Sequence, residues 1–271
     1  MSDSSQAEHR QGDISRKDGL DPDDLGGLAK MILKKVQDCG AVHVRLKLSE
    51  QAYDSLVRRV GTVELRTDIR VDRDRAVMER PPGAEGAQRP AVNNPSALGF
   101  HTDRPSADML AWFCVQQDAE DGTLSLIDAR DLHECLQERH LKLLQSVPVS
   151  YHTRRADGNV SICTEPLLVK QGSSYLIYFA PWLMASDLDP EQTEAIGAFE
   201  RYLEHKSQAY CWHIRLEPGE SLYIDNRRLL HGRGALAENS RRHLVRYYLE
   251  VPQMRSGSFR KRARRGLWEE A

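Results

Sequence analysis

The chain has 271 residues, 40% of them apolar and 29% charged, with a formal net charge of −2. That balance suits one globular domain with a well-buried core, and no run approaches the ~18 consecutive apolar residues of a membrane helix. The five cysteines, Cys39, Cys114, Cys135, Cys163 and Cys211, are scattered and never form C-x-x-C, which argues against a disulfide framework or a thiolate zinc site.

Residues 1–22 are polar, lack the apolar stretch of a secretory signal, and are expected to be a disordered tail on a cytoplasmic protein. In "DPDDLGGLAKMILKKVQDCG", Asp21 as cap, Pro22 at the first helical position and Leu25, Leu28, Ala29, Ile32, Leu33 and Val36 on one face predict an amphipathic helix ending at Gly40. "AVHVRLKL" alternates as a half-buried strand, with His43, Arg45 and Lys47 outward. A short helix follows in "SEQAYDSLVRRVG", then a strand through Val63, Leu65, Ile69 and Val71. Residues 80–99 form a Pro/Gly-rich loop. Such length inside a domain points to an active-site lid.

Strand signals resume at "MLAWFCVQQ" and "LSLIDA", followed by a helical region at "RDLHECLQERHLKLLQSV". "VSYHTRR", "EPLLVKQ" and "SYLIYFAPW" read as strands, and "DPEQTEAIGAFERYLEHK" as a helix capped by Asp189 with Ile196, Phe199 and Leu203 inward. "AYCWHIRLE", "SLYIDN" and "RHLVRYYLEV" complete a mainly β chain with flanking helices, the pattern of a jelly-roll or cupin-like barrel. One domain is expected over 23–252, with 253–271 a basic C-terminal tail. That tail has no nucleic-acid reading motif, and no nucleic-acid or membrane partner is expected.

The chemistry concentrates in three places. In "GFHTDRP", His101 and Asp103 are two apart and on a strand end point to one side, so both could reach one ion. With 10 His and 21 Asp in the chain, about one such H-x-D arises by chance. A third ligand is offered by His231 in "YIDNRRLLHGRGAL", placed just after a strand. In "RRHLVRYYLE", Arg242, Leu244, Arg246 and Tyr248 share one strand face. Two guanidinium groups facing a barrel interior need either internal carboxylates or an anionic ligand.

H-T-D, "DGT" some twenty residues later, "DNRRLLHGR" and then R-x-x-x-R together resemble the taurine dioxygenase and clavaminate synthase-like family of iron(II)/2-oxoglutarate-dependent oxygenases, in order over residues 99–250. The resemblance implies a double-stranded β-helix with His101, Asp103 and His231 as iron ligands. It implies that Thr123 and Arg242 hold the distal carboxylate of 2-oxoglutarate, with Arg246 near the substrate or the other end of the cosubstrate. It also implies O2 as co-reactant, succinate and CO2 as products, and hydroxylation of a small polar substrate, an amino acid or another carboxylate, with desaturation or cyclisation as alternatives. The chain departs from the family in "RPSADML", where a Pro-rich stretch is common, and in a short interval between the histidines. Asn94, in "AVNNPS", and Trp112 are further candidates to meet substrate, although Trp112 also fits core packing.

Two His and one Asp on one face of Fe(II) leave open positions for a cosubstrate and O2, as in non-haem iron oxygenases. The same three could hold zinc for hydrolysis or isomerisation. A non-catalytic, anion-binding barrel is the third reading, since fold does not fix function.

Overall fold

Two sheets pack face to face, and each carries helices on its outer side. A computed structural model describes residues 12–15, 18, 24–71, 95–154, 160–172, 174–185 and 187–254. The first half contains β1 (Gly12–Ile14), α1 (Leu25–Cys39), β2 (Ala41–Val44), α2 (Glu50–Val60), β3 (Thr62–Arg70), β4 (Leu98–His101), β5 (Met109–Gln116) and β6 (Leu124–Asp128). Then come α3 (Leu132–Cys135), α4 (Glu138–Leu144), β7 (Pro148–Arg154), β8 (Val160–Pro166), β9 (Leu168–Gln171) and β10 (Ser174–Ile177). The chain continues through α5 (Pro190–Ala209), β11 (Trp212–Ile214), β12 (Ser221–Asp225), β13 (Leu229–Arg233) and β14 (His243–Glu250). The larger sheet has the order β1-β2-β12-β5-β14-β3 and the smaller β11-β6-β13-β4. This is the mainly β, double-stranded β-helix architecture with flanking helices. Among the described residues no helix is long and apolar enough to cross a membrane.

The period-2 alternation of the central strands builds two cores at once. From β5 and β14, Met109, Ala111, Phe113, Val245, Tyr247 and Leu249 point outward under α1 and α2. There Tyr53 stacks on Phe113 at 4.6 Å between ring centroids. The other face of the same strands sends Leu110, Trp112, Leu244 and Tyr248 inward against Leu126 and Leu229 of the smaller sheet. A third core lies behind the smaller sheet, where Ile196, Phe199 and Leu203 of α5 pack as their helical spacing predicts.

Several expectations need correction. The cap of α1 is Asp24, which accepts from the Gly27 N–H at 2.9 Å, and not Asp21. Gly12–Ile14 pairs in parallel with β2, so an ordered strand lies within the 1–22 segment expected to be a disordered tail. His43 is buried rather than outward, because β2 is covered on both faces, and its Nε2 meets Glu220 Oε2 at 2.9 Å. Of the expected 80–99 loop, residues 80–94 lie outside the described residues, and Leu98 and Gly99 belong to β4. A strand over Val160–Pro166, pairing with β7, was not legible in "NVSICTEP". His231 lies in the middle of a strand, not after one.

Candidate active site

The register of the smaller sheet places His231 of β13 directly opposite His101, the last residue of β4. Opposed residues of an antiparallel pair share a face, and the two imidazole centroids are 4.3 Å apart. Asp103 lies two residues beyond the strand end. Its Oδ1 is 3.9 Å from His101 Nε2 and its Oδ2 is 3.7 Å from His231 Nε2. One ligand atom from each of the three falls within 4.8 Å of the others.

The protonation pattern suits a metal. His101 Nδ1 lies 2.8 Å from the Gly99 carbonyl. A carbonyl only accepts, so in the neutral ring the proton sits on Nδ1 and the Nε2 lone pair faces the cluster. His231 is buried, and neither of its ring nitrogens has a hydrogen-bond partner among the described residues. Burial pushes its pKa well below 6.5, helped by His101 and Arg246 against the opposing pull of Asp103. A neutral, unsatisfied, fully desolvated imidazole is costly in isolation, and a cation held by these three residues would satisfy it. The ring edges are walled by Trp112 against His231 at 5.2 Å and Trp182 against His101 at 5.0 Å. Trp112 is thus both core and cavity wall.

Three arginines line the adjoining cavity, which encloses about 360 Å³ including its mouth. Arg246 donates from Nη1 to Asp103 Oδ2 at 2.8 Å and lies over the Tyr248 ring at 4.8 Å. Burial lowers its pKa, but Asp103 and Tyr248 outweigh that and hold it above the usual arginine value. Arg242 is buried, with Nε and Nη2 lacking hydrogen-bond partners among the described residues. Burial, then the nearby Arg233 charge, lowers it to about 10. Arg233, which sequence reasoning passed over, extends from β13 and donates through Nη1 to the carbonyls of Ser96 at 2.8 Å and Gly234 at 3.0 Å. The signal was present, since Arg233 closes the "DNRRLLHGR" run.

Gly122, at φ 92°, brings the chain against Arg242. A Cβ there would meet Arg242 Nε at 2.9 Å and the Gln117 amide oxygen at 2.3 Å. Thr123 follows, half-buried, but the cavity is lined by its neighbour Leu124 instead. Asn94 lies outside the described residues.

The sequence profile of the taurine catabolism dioxygenase TauD, TfdA family matches residues 6–248. The chain belongs to this TauD/TfdA family. It is 26% identical over 172 residues to a gamma-butyrobetaine dioxygenase from Pseudomonas sp. (strain AK-1), an alignment covering 59% of this chain and 45% of that protein. The chain therefore matches less than half the length of that curated relative. Among solved structures it resembles an asparagine oxygenase in complex with Fe(II), 2S,3S-3-hydroxyasparagine and succinate, with TM-score 0.60, 17% identity and 85% and 80% of the two chains covered. The non-heme iron oxygenase OrfP with Fe and alpha-ketoglutaric acid gives 0.58, 16%, 87% and 88%. PvcB from Pseudomonas aeruginosa gives 0.57, 17%, 84% and 82%. At these identities the likeness speaks for the TauD/TfdA fold.

Proposed function

We propose that this TauD/TfdA chain is an Fe(II)/2-oxoglutarate-dependent dioxygenase that hydroxylates an unactivated C–H of a small carboxylate, an amino acid in the first instance. The reading is carried by the His231 imidazole, which faces His101 and Asp103 in a cavity also lined by Arg242; neither ring nitrogen of His231, nor Nε or Nη2 of Arg242, has a hydrogen-bond partner among the described residues. In it, His101, Asp103 and His231 hold the iron within a single domain over 23–252. When bound, the iron with 2-oxoglutarate and O2 supplies the oxidation, releasing succinate and CO2 as the substrate gains an oxygen atom.

The chain's own part is placement and charge. Arg242, backed by the Gly122–Thr123 turn, would receive the distal carboxylate of 2-oxoglutarate, an anion suited to a planar guanidinium. Arg246 donates to Asp103 through Nη1, and its buried Nε, without a hydrogen-bond partner among the described residues, is left for the substrate side of the cavity. Asn94 is a second candidate there. The walls from Ile69, Leu98, Leu124 and Leu244 exclude water from the reacting end.

Amino-acid substrates are favoured by the cavity's charge, three arginines against the one carboxylate of Asp103. They are also favoured by the 2S,3S-3-hydroxyasparagine bound to the related asparagine oxygenase and the (3S)-hydroxy-L-Arg bound to OrfP. A zinc hydrolase or plain anion-binding barrel leaves the metal cluster or the arginine pair without a task.

The test is succinate release across a panel of amino acids and other small acids, with Fe(II) and 2-oxoglutarate present. Expected is release that depends on iron, rises with one substrate class and vanishes in His231→Ala. Turnover by His231→Ala equal to the parent would remove the assignment.

A further inference from the structure

We propose that Asn226, in the turn between β12 and β13, is a positioning residue that fixes Asp103 for metal binding. The inference rests on the reading of His101, Asp103 and His231 as one metal site. His101 and His231 are held by strand pairing, whereas Asp103 sits beyond the end of β4 and has no ladder to place it. Something else must.

Asn226 is buried, and its amide is fully used. Oδ1 accepts from the Asp103 backbone N–H at 2.9 Å, while Nδ2 donates to the carbonyls of Arg104 at 3.0 Å and Ala107 at 3.1 Å. Its own N–H donates to the Asp108 carbonyl at 3.1 Å. One side chain therefore spans the whole connection from the ligand to the start of β5. On the opposite side, the Thr102 N–H donates to the Phe179 carbonyl at 2.8 Å, and Thr102 Oγ1 accepts from the Phe179 N–H at 2.9 Å. Thr102 and Asp103 are consequently pinned from two directions.

The residue type follows from the geometry. An asparagine offers one acceptor and two donors in a short planar group. A leucine of similar size would leave the Asp103 N–H and two buried carbonyls unpaired. The platform is itself rigid, because the next two residues are anchored by carboxylates. Arg227 pairs with Asp225 through two contacts of 3.0 Å, and Arg228 pairs with Asp128 at 2.8 and 2.6 Å. From there β13 runs on to His231. The "DNRR" segment thus sets one metal ligand through a side chain and another through the strand it begins. A ligand held in place before the ion arrives spares the ordering cost of binding, and such supporting contacts commonly govern affinity.

The experiment is anaerobic calorimetry of Co(II) binding to the full chain, with the visible Co(II) spectrum as a reading of ligand geometry. It compares the parent, His231→Ala, Asn226→Ala and Asn226→Asp, and melts each metal-free protein alongside. Asn226→Ala is expected to weaken Co(II) binding about ten- to hundredfold and to alter the spectrum. Asn226→Asp keeps an oxygen for the Asp103 N–H and loses both donations, so its affinity should stay within about threefold of the parent even as it melts earlier. A purely structural role would lower both melting points and leave binding alone. Folded Asn226→Ala that binds like the parent, with the same spectrum, overturns the proposal. If that variant does not fold, a loss of about tenfold or more in Asn226→Asp overturns it instead. A parent that fails to bind Co(II), or His231→Ala that binds as well as the parent, sinks the metal-site reading itself.

Discussion

Arg246 Nη1 and Asp103 Oδ2 are 2.8 Å apart, with side-chain exposures of 8% and 14%. The carboxylate proposed as iron ligand is thus neutralised by an arginine in the metal-free protein. A buried pair broken on one side leaves the other charge uncompensated. Arg246→Met should destabilise the metal-free protein by about 3 kcal/mol. Fe(II) brings its own positive charge to Asp103, so the loss should shrink when the metal is bound. Urea melts with and without Fe(II), run anaerobically, measure the difference. An identical loss in both states would show that the ion does not reach Asp103.

Arg242 presents the reverse situation, a buried cation whose Nε and Nη2 have no hydrogen-bond partner among the described residues, with only the longer-range pull of Asp118 and Cys114 in its favour. Burial and the Arg233 charge lower its pKa to about 10. Below that pH it is protonated both folded and unfolded, and the fold carries the full penalty. The penalty eases only as pH rises above about 10 towards the ordinary arginine value. At neutral pH, Arg242→Gln should therefore raise the melting point of the ligand-free protein while raising the apparent KM for 2-oxoglutarate. A hydrogen bond to a charged group contributes about 1.5–3 kcal/mol, roughly ten- to hundredfold in affinity. An unchanged KM would take Arg242 out of the cosubstrate site.

Removing the ligand carboxylate exposes the same logic from the other side. Asp103→Gly strands Arg246 and opens space beside it, so an added anion should become stabilising. Hydroxylation is expected to be lost, and chloride should raise the melting point of Asp103→Gly more than that of the parent at matched ionic strength. Equal responses to chloride and to a bulky anion would show that no local site forms.

A distant pair provides the pH control. Burial raises the pKa of Asp131, but the Lys206 ammonium and the Tyr202 hydroxyl, which donates at 2.7 Å, outweigh it and hold it below 3.8. A folded pKa below the unfolded one stabilises at higher pH and is lost as pH falls through it. Asp131→Asn should be less stable than the parent at pH 7, and the gap should close on acidification below about 4. A gap independent of pH would mean that packing rather than charge is at stake.

The parts of the chain legible in the sequence were those fixed by local periodicity. The cavity-facing side of β14, with Leu244 and Arg246 on it, follows from alternation alone, and so does the inward side of α5. What the sequence could not show was partnership. His43 sits on the polar side of an alternating run, yet β1 and β12 flank its strand and Glu220 reaches its ring, so it is buried. Asp21 and Asp24 have the same capping chemistry, and only the reach to Gly27 N–H distinguishes them. Arg246 was read as facing substrate because a strand face reveals direction but not the Asp103 carboxylate waiting there. Asn226 and Arg233 stood in the motif unremarked, since their contacts are to backbone atoms of segments about 120 to 140 residues away.

The most direct measurement is the visible spectrum of the protein on anaerobic addition of Fe(II) followed by 2-oxoglutarate. Chelation of iron by the oxo-acid end of the cosubstrate produces a metal-to-ligand charge-transfer band that neither iron nor 2-oxoglutarate gives alone. The parent should develop this band at saturating 2-oxoglutarate, His231→Ala should not, and Arg242→Gln should require a much higher concentration to reach it. A folded parent that shows no band under these conditions would contradict the assignment of His101, Asp103, His231 and Arg242 to one iron and 2-oxoglutarate site.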